Sequence, residues 1–161
     1  MIRIKPSPGG KAAGSGGCTC FKLRRLTRRV TAVYDRALSA AGMRVTQYSL
    51  LSHLRGLNGV PISRLAEMLD MDRTTLTRNL RPLLEAGWLA IAPNPKDTRI
   101  RVVRITPAGD AQWQSARTYW RRAQDEVNAV IGAANVAGLH QTLDSYVPLF
   151  RPASESEGQS E

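Results

Sequence analysis

At 161 residues and 42% hydrophobic content, the chain suits one globular domain, long enough to bury a core without disulfides or metals. Its 23 Lys plus Arg against 13 Asp plus Glu give a net charge of +10, which points to a polyanion or an anionic surface as partner. No run approaches the roughly 18 to 20 apolar residues of a membrane span, and the cysteines, Cys18 and Cys20, are too few for a disulfide framework.

Residues 1–17, MIRIKPSPGGKAAGSGG, carry basic residues but no apolar core of a secretory signal. Their Gly, Pro, Ser and Lys content is that of a disordered basic arm, and a cytoplasmic location is the simplest expectation. A first helix is expected over 18–41, where Leu23, Leu26, Val30, Val33 and Ala37 recur at three and four residues. Lys22 to Arg36 places six basic residues against one Asp on the rest of that surface. Gly42 ends it. Thr46 is the expected N-cap of a second helix that carries Tyr48, Leu50, Leu51 and Leu54 up to Leu57, before the turn Asn58-Gly59.

Pro61 fits the opening turn of a third helix, Ile62 to Leu69. Asp70-Met71 makes a turn, and Asp72 caps a fourth helix whose Leu76, Leu80, Leu83 and Leu84 form a core stripe. Arg73, Thr74, Thr75, Thr77, Arg78 and Arg81 lie away from that stripe. Pro82 conflicts with the pattern and is expected to kink the last turn; Gly87 closes the helix. Two β-type runs, Leu89 to Ala92 and Ile100 to Ile105, flank the basic tip Pro93-Asn94-Pro95-Lys96-Asp97-Thr98, too long for a tight two-residue hairpin. Thr106 caps and Pro107 opens a fifth helix with an apolar stripe through Trp113, Ala116, Trp120, Ala123, Val127 and Val130. After Gly132 a sixth helix continues the rhythm through Val136, Leu139, Leu143 and Tyr146. Spacings averaging about 3.5 suit helices packed side by side. Residues 148–161 read as a disordered tail, and the chain from Gly132 onward is net acidic.

The expected fold is therefore mainly α with a small β-hairpin wing. A winged helix-turn-helix spans 46–105, and helices at 18–41 and 107–147 complete a single domain over 18–147. Those outer helices either close a monomeric core or pair across a two-fold axis. The second arrangement holds two copies of the middle at fixed separation, as a reader of palindromic DNA needs. A helix fits the major groove, where Arg donates two bonds to guanine and Thr offers a hydroxyl to bases or phosphates. Lys96 and Arg99 at the hairpin tip suit an adjacent minor groove. A winged helix serving protein interaction, without sequence-specific DNA binding, is the alternative from another class.

The motifs DMDRTTLTRNLRPLLEAGWL and NPKDTRIRVVRITPAG resemble the MarR (multiple antibiotic resistance regulator) family of winged-helix transcription factors, over about Cys18 to Val147. The resemblance implies a homodimer, most simply a repressor, bound to a palindromic operator in double-stranded DNA. It implies that Arg99 of the Asp97-Thr98-Arg99 signature enters the minor groove and that Asp97 positions the wing. Ile105-Thr106-Pro107-Ala108-Gly109 matches the opening of the family's dimerisation helix. Such regulators respond to a small anionic aromatic ligand or to an oxidant. Cys20, with Phe21, Leu23 and Tyr34, is similar to the organic-hydroperoxide sensors of this family, whose tyrosines hydrogen-bond the reactive Cys. The first helical turn and the neighbouring Lys22, Arg24 and Arg25 independently favour a reactive thiolate, which peroxide oxidises to sulfenic acid. Arg24 and Val45 stand where those sensors place tyrosines. No Cys occurs in the C-terminal half, so Cys18 is the available resolving thiol. A rival aromatic ligand pocket would draw on Tyr34, Tyr48, His53, Trp113 and Trp120, with Arg55 meeting a carboxylate. His53, His140 and the two cysteines lack metal-ligand spacing. With neither a nucleophile–base set nor a phosphate-cradling Gly loop, no enzyme and no cofactor are expected.

Overall fold

A computed structural model describes residues 17–94 and 97–150. The expected disordered arm (save Gly17), the hairpin-tip residues 95–96 and the tail beyond Phe150 lie outside the described residues. The elements run α1 Thr19–Leu38, α2 Val45–Leu54, β1 Val60–Pro61, α3 Ile62–Met68, α4 Arg73–Glu85, β2 Leu89–Asn94, β3 Asp97–Ile105, α5 Pro107–Ile131 and α6 Ala133–Tyr146. Short 3₁₀ turns follow α1 at Ser39–Ala41 and α6 at Val147–Leu149. The latter gives local structure to the start of the stretch expected as tail.

The core sits where α2, α3 and α4 meet the sheet and where α1 crosses α5. Leu38, Leu51, Leu54, Leu65, Leu76, Leu80, Leu83 and Val103 are each less than 2% exposed. All are residues that lose nothing polar on leaving water, and each buried Leu or Val contributes roughly 1.5–3 kcal/mol of transfer free energy. The sheet has the order β1-β3-β2, antiparallel throughout.

Three local expectations are corrected. The second helix begins at Val45 with Arg44, not Thr46, at its N-cap. The reason is an acceptor from elsewhere in the chain: Asp35 Oδ1 on α1 accepts from the Val45 amide at 2.8 Å. The Gln47 side chain accepts from the Arg44 amide at 2.8 Å. Donors normally served by a local cap are thus already satisfied. Pro61, placed by its sequence in the opening turn of α3, instead pairs with Val102 as part of a short third strand. The hairpin is tighter than expected, because Asn94 pairs with Asp97 across two intervening residues. Its surplus length is taken up on β3, where the register jumps from Arg101 opposite Pro93 to Asp97 opposite Asn94. A bulge next to Pro93 is physically reasonable, since proline has no N–H for the ladder.

The outer helices are only partly covered by their own chain. Tyr34 and Leu38 on α1 are buried, but Leu23 and Leu26 are 46% and 39% exposed. On α5, Ala116, Ala123 and Val127 are buried while Val130 is 80% exposed; on α6 only Val136 is buried. Each apolar stripe runs out of the core into solvent.

Candidate nucleic-acid interface

The turn between α3 and α4 is closed by the Met71 amide donating to the Ala66 carbonyl at 2.9 Å, with Asp70 at φ 49°. Such a left-handed turn residue is most tolerable when its side chain is short and polar. Asp72 then caps α4. Its carboxylate accepts from the Thr75 amide at 2.8 Å and from the Thr75 hydroxyl at 2.6 Å. These two bonds, the hydroxyl first, hold the Asp72 carboxyl below its ordinary value. The charged form is the one that caps, so the stabilisation is present above the unfolded-state carboxylate value and fades as pH falls through the lowered one. Asp72→Ala is expected to lower Tm at neutral pH, with the gap to wild type narrowing in acid. Thermal melts from pH 7 to pH 3 check this; a gap that widens in acid would contradict it.

With Leu76, Leu80 and Leu83 buried, the opposite side of α4 faces out. Arg73, Thr74, Thr77, Arg78 and Arg81, with Leu84 and Glu85, line a shallow groove along it. The residues differ in what they have free. Arg73, Thr74 and Arg78 are exposed, and no hydrogen bond or ion pair engages their side chains among the described residues. The Thr77 hydroxyl donates to the Arg73 carbonyl at 2.7 Å, leaving its lone pairs and methyl outward. Arg81 pairs with Glu85 at 2.7 Å, so a phosphate would have to compete for it. Thr75 is half-buried and its hydroxyl proton is committed to Asp72. It therefore serves the cap, with only its lone pairs and methyl left to offer outward.

At the wing, Asp97 Oδ1 accepts from the Arg99 amide at 3.0 Å and lies 3.5 Å from Arg99 Nε. A carboxylate that ties down the backbone two residues on fixes the loop, and the Arg99 side chain is 92% exposed above it. Lys96 lies outside the described residues. Arg101, also exposed on β3, was not singled out from its sequence. The signal lay in the basic run from Lys96 to Arg104, but alternation along the strand alone does not say which of its arginines points outward past a bulge.

The sensing candidates do not come together within one chain. Cys18 is the N-cap residue of α1 and Cys20 is in its first turn; both are free and exposed. Tyr34 lies fourteen residues farther along the same helix, roughly 21 Å at 1.5 Å per residue. Its hydroxyl donates to Gln124 Oε1 at 2.6 Å, so it does not serve the Cys20 of its own chain. The ligand-pocket candidates do converge, but as a packed stack. Tyr48 is buried between Trp113, with centroids 5.6 Å apart and planes at 11°, and Trp120, at 5.7 Å and 16°. Burial raises the Tyr48 phenol above its ordinary value. Trp113 Nε1 donates to Ser52 Oγ at 2.7 Å. Arg55 lies 3.8 Å above the Trp113 ring while its Nε donates to Asp110 at 2.6 Å. Rings filled face to face leave no slot between them. His53 stands apart, exposed, with Nδ1 2.7 Å from the Ser49 carbonyl of its own helix. Among the described residues no group of three or more His, Cys, Asp or Glu could hold a metal ion, and no helix is long and apolar enough to cross a membrane.

The model of the MarR family matches residues 43–100, from the end of the α1–α2 turn to the wing. The multiple antibiotic resistance protein MarR of Salmonella typhimurium is 32% identical over 133 residues, covering 78% of this chain and 91% of that protein. Among solved structures, the Mycobacterium tuberculosis regulator MosR in complex with DNA is 34% identical, with a TM-score of 0.65 over 80% of this chain and 97% of that one. The transcriptional repressor CouR bound to a 23-mer DNA duplex gives a TM-score of 0.75 at 20% identity, over 87% and 99% of the two chains, and supports the fold alone. The chain belongs to the MarR family of winged helix-turn-helix transcriptional regulators.

Proposed function

We propose that this protein is a homodimeric repressor that binds a palindromic operator, with α4 in the major groove and the wing in the adjacent minor groove. The observation that carries the reading is the pairing of two cationic elements that keep arginines open to solvent, although Glu85 engages Arg81 and Asp97 lies 3.5 Å from Arg99 Nε. Arg73 and Arg78 stand open on α4, and Asp97 holds the backbone under a 92% exposed Arg99. In a chain of net charge +10, such elements match phosphate and base edges better than a protein partner. The relative MosR, which shares 34% of its aligned residues, has been crystallised with DNA.

Dimerisation would use the uncovered stripes of the outer helices. Leu26, Val30 and Val33 of α1 and Val127, Val130 and Ile131 of α5 line one apolar groove, and α6 continues it through Val136, Leu139 and Leu143. A second copy would cover the exposed Val130 and Leu23, and would set the spacing of the two α4 helices to one DNA turn. A dimer seated over promoter DNA represses by occlusion.

Release by thiol oxidation is favoured over a ligand in the aromatic cluster, because Cys18 and Cys20 are exposed to oxidant while Tyr48, Trp113 and Trp120 are stacked closed. Both thiols sit at the start of α1, so a bond or a sulfenic acid there would alter the dimer contact and with it the α4 spacing. Peroxide is expected to weaken operator binding by wild type and to leave Cys20→Ser unaffected. Equal responses of the two proteins in a fluorescence-anisotropy assay would remove Cys20 from the mechanism. DNA binding itself is tested by anisotropy on a selected duplex.

A further inference from the structure

At its base the wing meets the α2–β1 loop, and there the chain brings together hydrogen-bond donors that have no partner among the described residues. Gly56, Leu57 and Asn58 face Arg104 and Ile105 of β3 across a surface recess. Arg104 is half-buried, and its Nε is the one buried side-chain nitrogen or oxygen with no hydrogen-bond partner among the described residues. The side chain lies flat on Gly59: a Cβ at that position would stand 2.8 Å from Arg104 Nε and 3.1 Å from its Cγ. Glycine there, at φ +93°, is what lets the guanidinium reach the loop at all. The Leu57 amide donates to the Leu54 carbonyl at 3.2 Å, whereas the amides of Gly56, Asn58 and Gly59 have no acceptor among the described residues. No carboxylate lines the recess. Arg55, just before the loop, is already paired with Asp110, whose other oxygen accepts from Gln114 at 2.6 Å.

A buried guanidinium N–H without an acceptor is costly, and the planar fork of arginine matches the two oxygens of a carboxylate or phosphate. Amides clustered around positive-φ glycines form concavities that bind anions. We propose that this recess binds a small oxyanion, a carboxylate or phosphate group, held by Arg104 and the amides of Gly56, Asn58 and Gly59. The same chemistry has two sources: a free oxyanion in solution or a phosphodiester of bound DNA. Arg104 lies five residues along β3 from Arg99, roughly 17 Å in an extended strand, so the site is separate from the wing tip. It stands whether or not the chain reads DNA.

The test is a ¹H–¹⁵N NMR titration of the full chain with inorganic phosphate replacing chloride at constant ionic strength. Saturable shifts confined to Gly56, Asn58, Gly59 and the Arg104 Nε–H are expected. Arg104→Gln should weaken binding at least tenfold, with Arg104→Lys between the two. If the Gln variant does not fold, the wild-type map and the Lys variant still decide. A second titration uses duplex DNA in phosphate-free buffer. If the phosphodiester is the occupant, the same signals move with duplex, and Arg104→Gln reduces the salt slope of DNA binding by about 1 per subunit. If a free oxyanion is the occupant, phosphate moves them and duplex does not. Linear shifts spread evenly over the exposed arginines, or no response to either probe, would overturn the proposal.

Discussion

Gly109→Ala is expected to destabilise the protein, although alanine is the better helix former by roughly 1 kcal/mol. Gly109 sits in the first turn of α5 with no unusual backbone angle, so conformational freedom does not explain it. Space does. A Cβ there would lie 2.1 Å from the Trp88 carbonyl oxygen, 2.9 Å from its carbon and 3.1 Å from Ile105 Cγ1. The carbonyl cannot easily retreat, because it accepts from the Thr106 amide at 3.0 Å. The Thr106 hydroxyl in turn donates to the Gly87 carbonyl at 2.7 Å and accepts from the Gly109 amide at 3.0 Å. The Thr-x-x-Gly sequence is thus a joint that clamps the start of α5 onto the end of α4 and the start of β2. Overpacking against backbone typically costs about 1–3 kcal/mol, and with an immobile carbonyl as neighbour the upper end or beyond is expected. Urea unfolding of wild type and variant decides it. A variant more stable than wild type, as helix propensity alone would have it, would mean that the joint is looser than these distances require.

Arg78→Ala and Arg99→Ala are expected to act on DNA binding and hardly at all on stability, because neither side chain packs in the core. If Arg78 reads a base, its loss relaxes selectivity at one position of each half-site by about 1–3 kcal/mol. Loss of Arg99 is expected to weaken binding to all duplexes with a narrow minor groove beside the half-site. In a dimer both effects count twice. Asp97→Ala should follow Arg99→Ala at reduced size, since the arginine stays but its backbone tether goes. Melting temperatures within a degree or so of wild type, together with altered anisotropy curves, are the expected combination. Unchanged affinity and selectivity in both arginine variants would rule out the proposed docking of α4 and the wing.

Much of this was legible in the sequence because it rests on local chemistry. The Asp72 cap, the Leu76–Leu80–Leu83 stripe, the Gly42, Gly87 and Gly132 stops and the Thr106-Pro107 start are all set by residues within one helical turn of the feature they determine. What was not legible depends on partners distant in the chain. The α2 start is decided by Asp35, ten residues upstream. β1 exists only because β3 offers it an edge. Tyr34 and Cys20 share a helix in sequence, yet they are separated by its rise, and the tyrosine is taken by Gln124, ninety residues away. The aromatic candidates show the same limit from the other side: the sequence offered Tyr48, His53, Trp113 and Trp120 as one pocket, and only the structure places three of the rings in a stack with His53 apart. Arg104 gave no sequence signal beyond its charge, because what distinguishes it is the glycine it rests on.

The most direct measurement is the salt dependence of binding to a selected palindromic duplex, read by fluorescence anisotropy. A dimer that neutralises several phosphates per subunit should bind at low salt and lose affinity along a log–log line with slope of roughly −0.9 per phosphate contacted. A slope on the order of −5 or steeper is expected, together with far weaker binding to a single half-site. No binding at low salt, or a flat line with equal affinity for palindrome and half-site, would contradict a dimeric reader of DNA built on α4 and the wing.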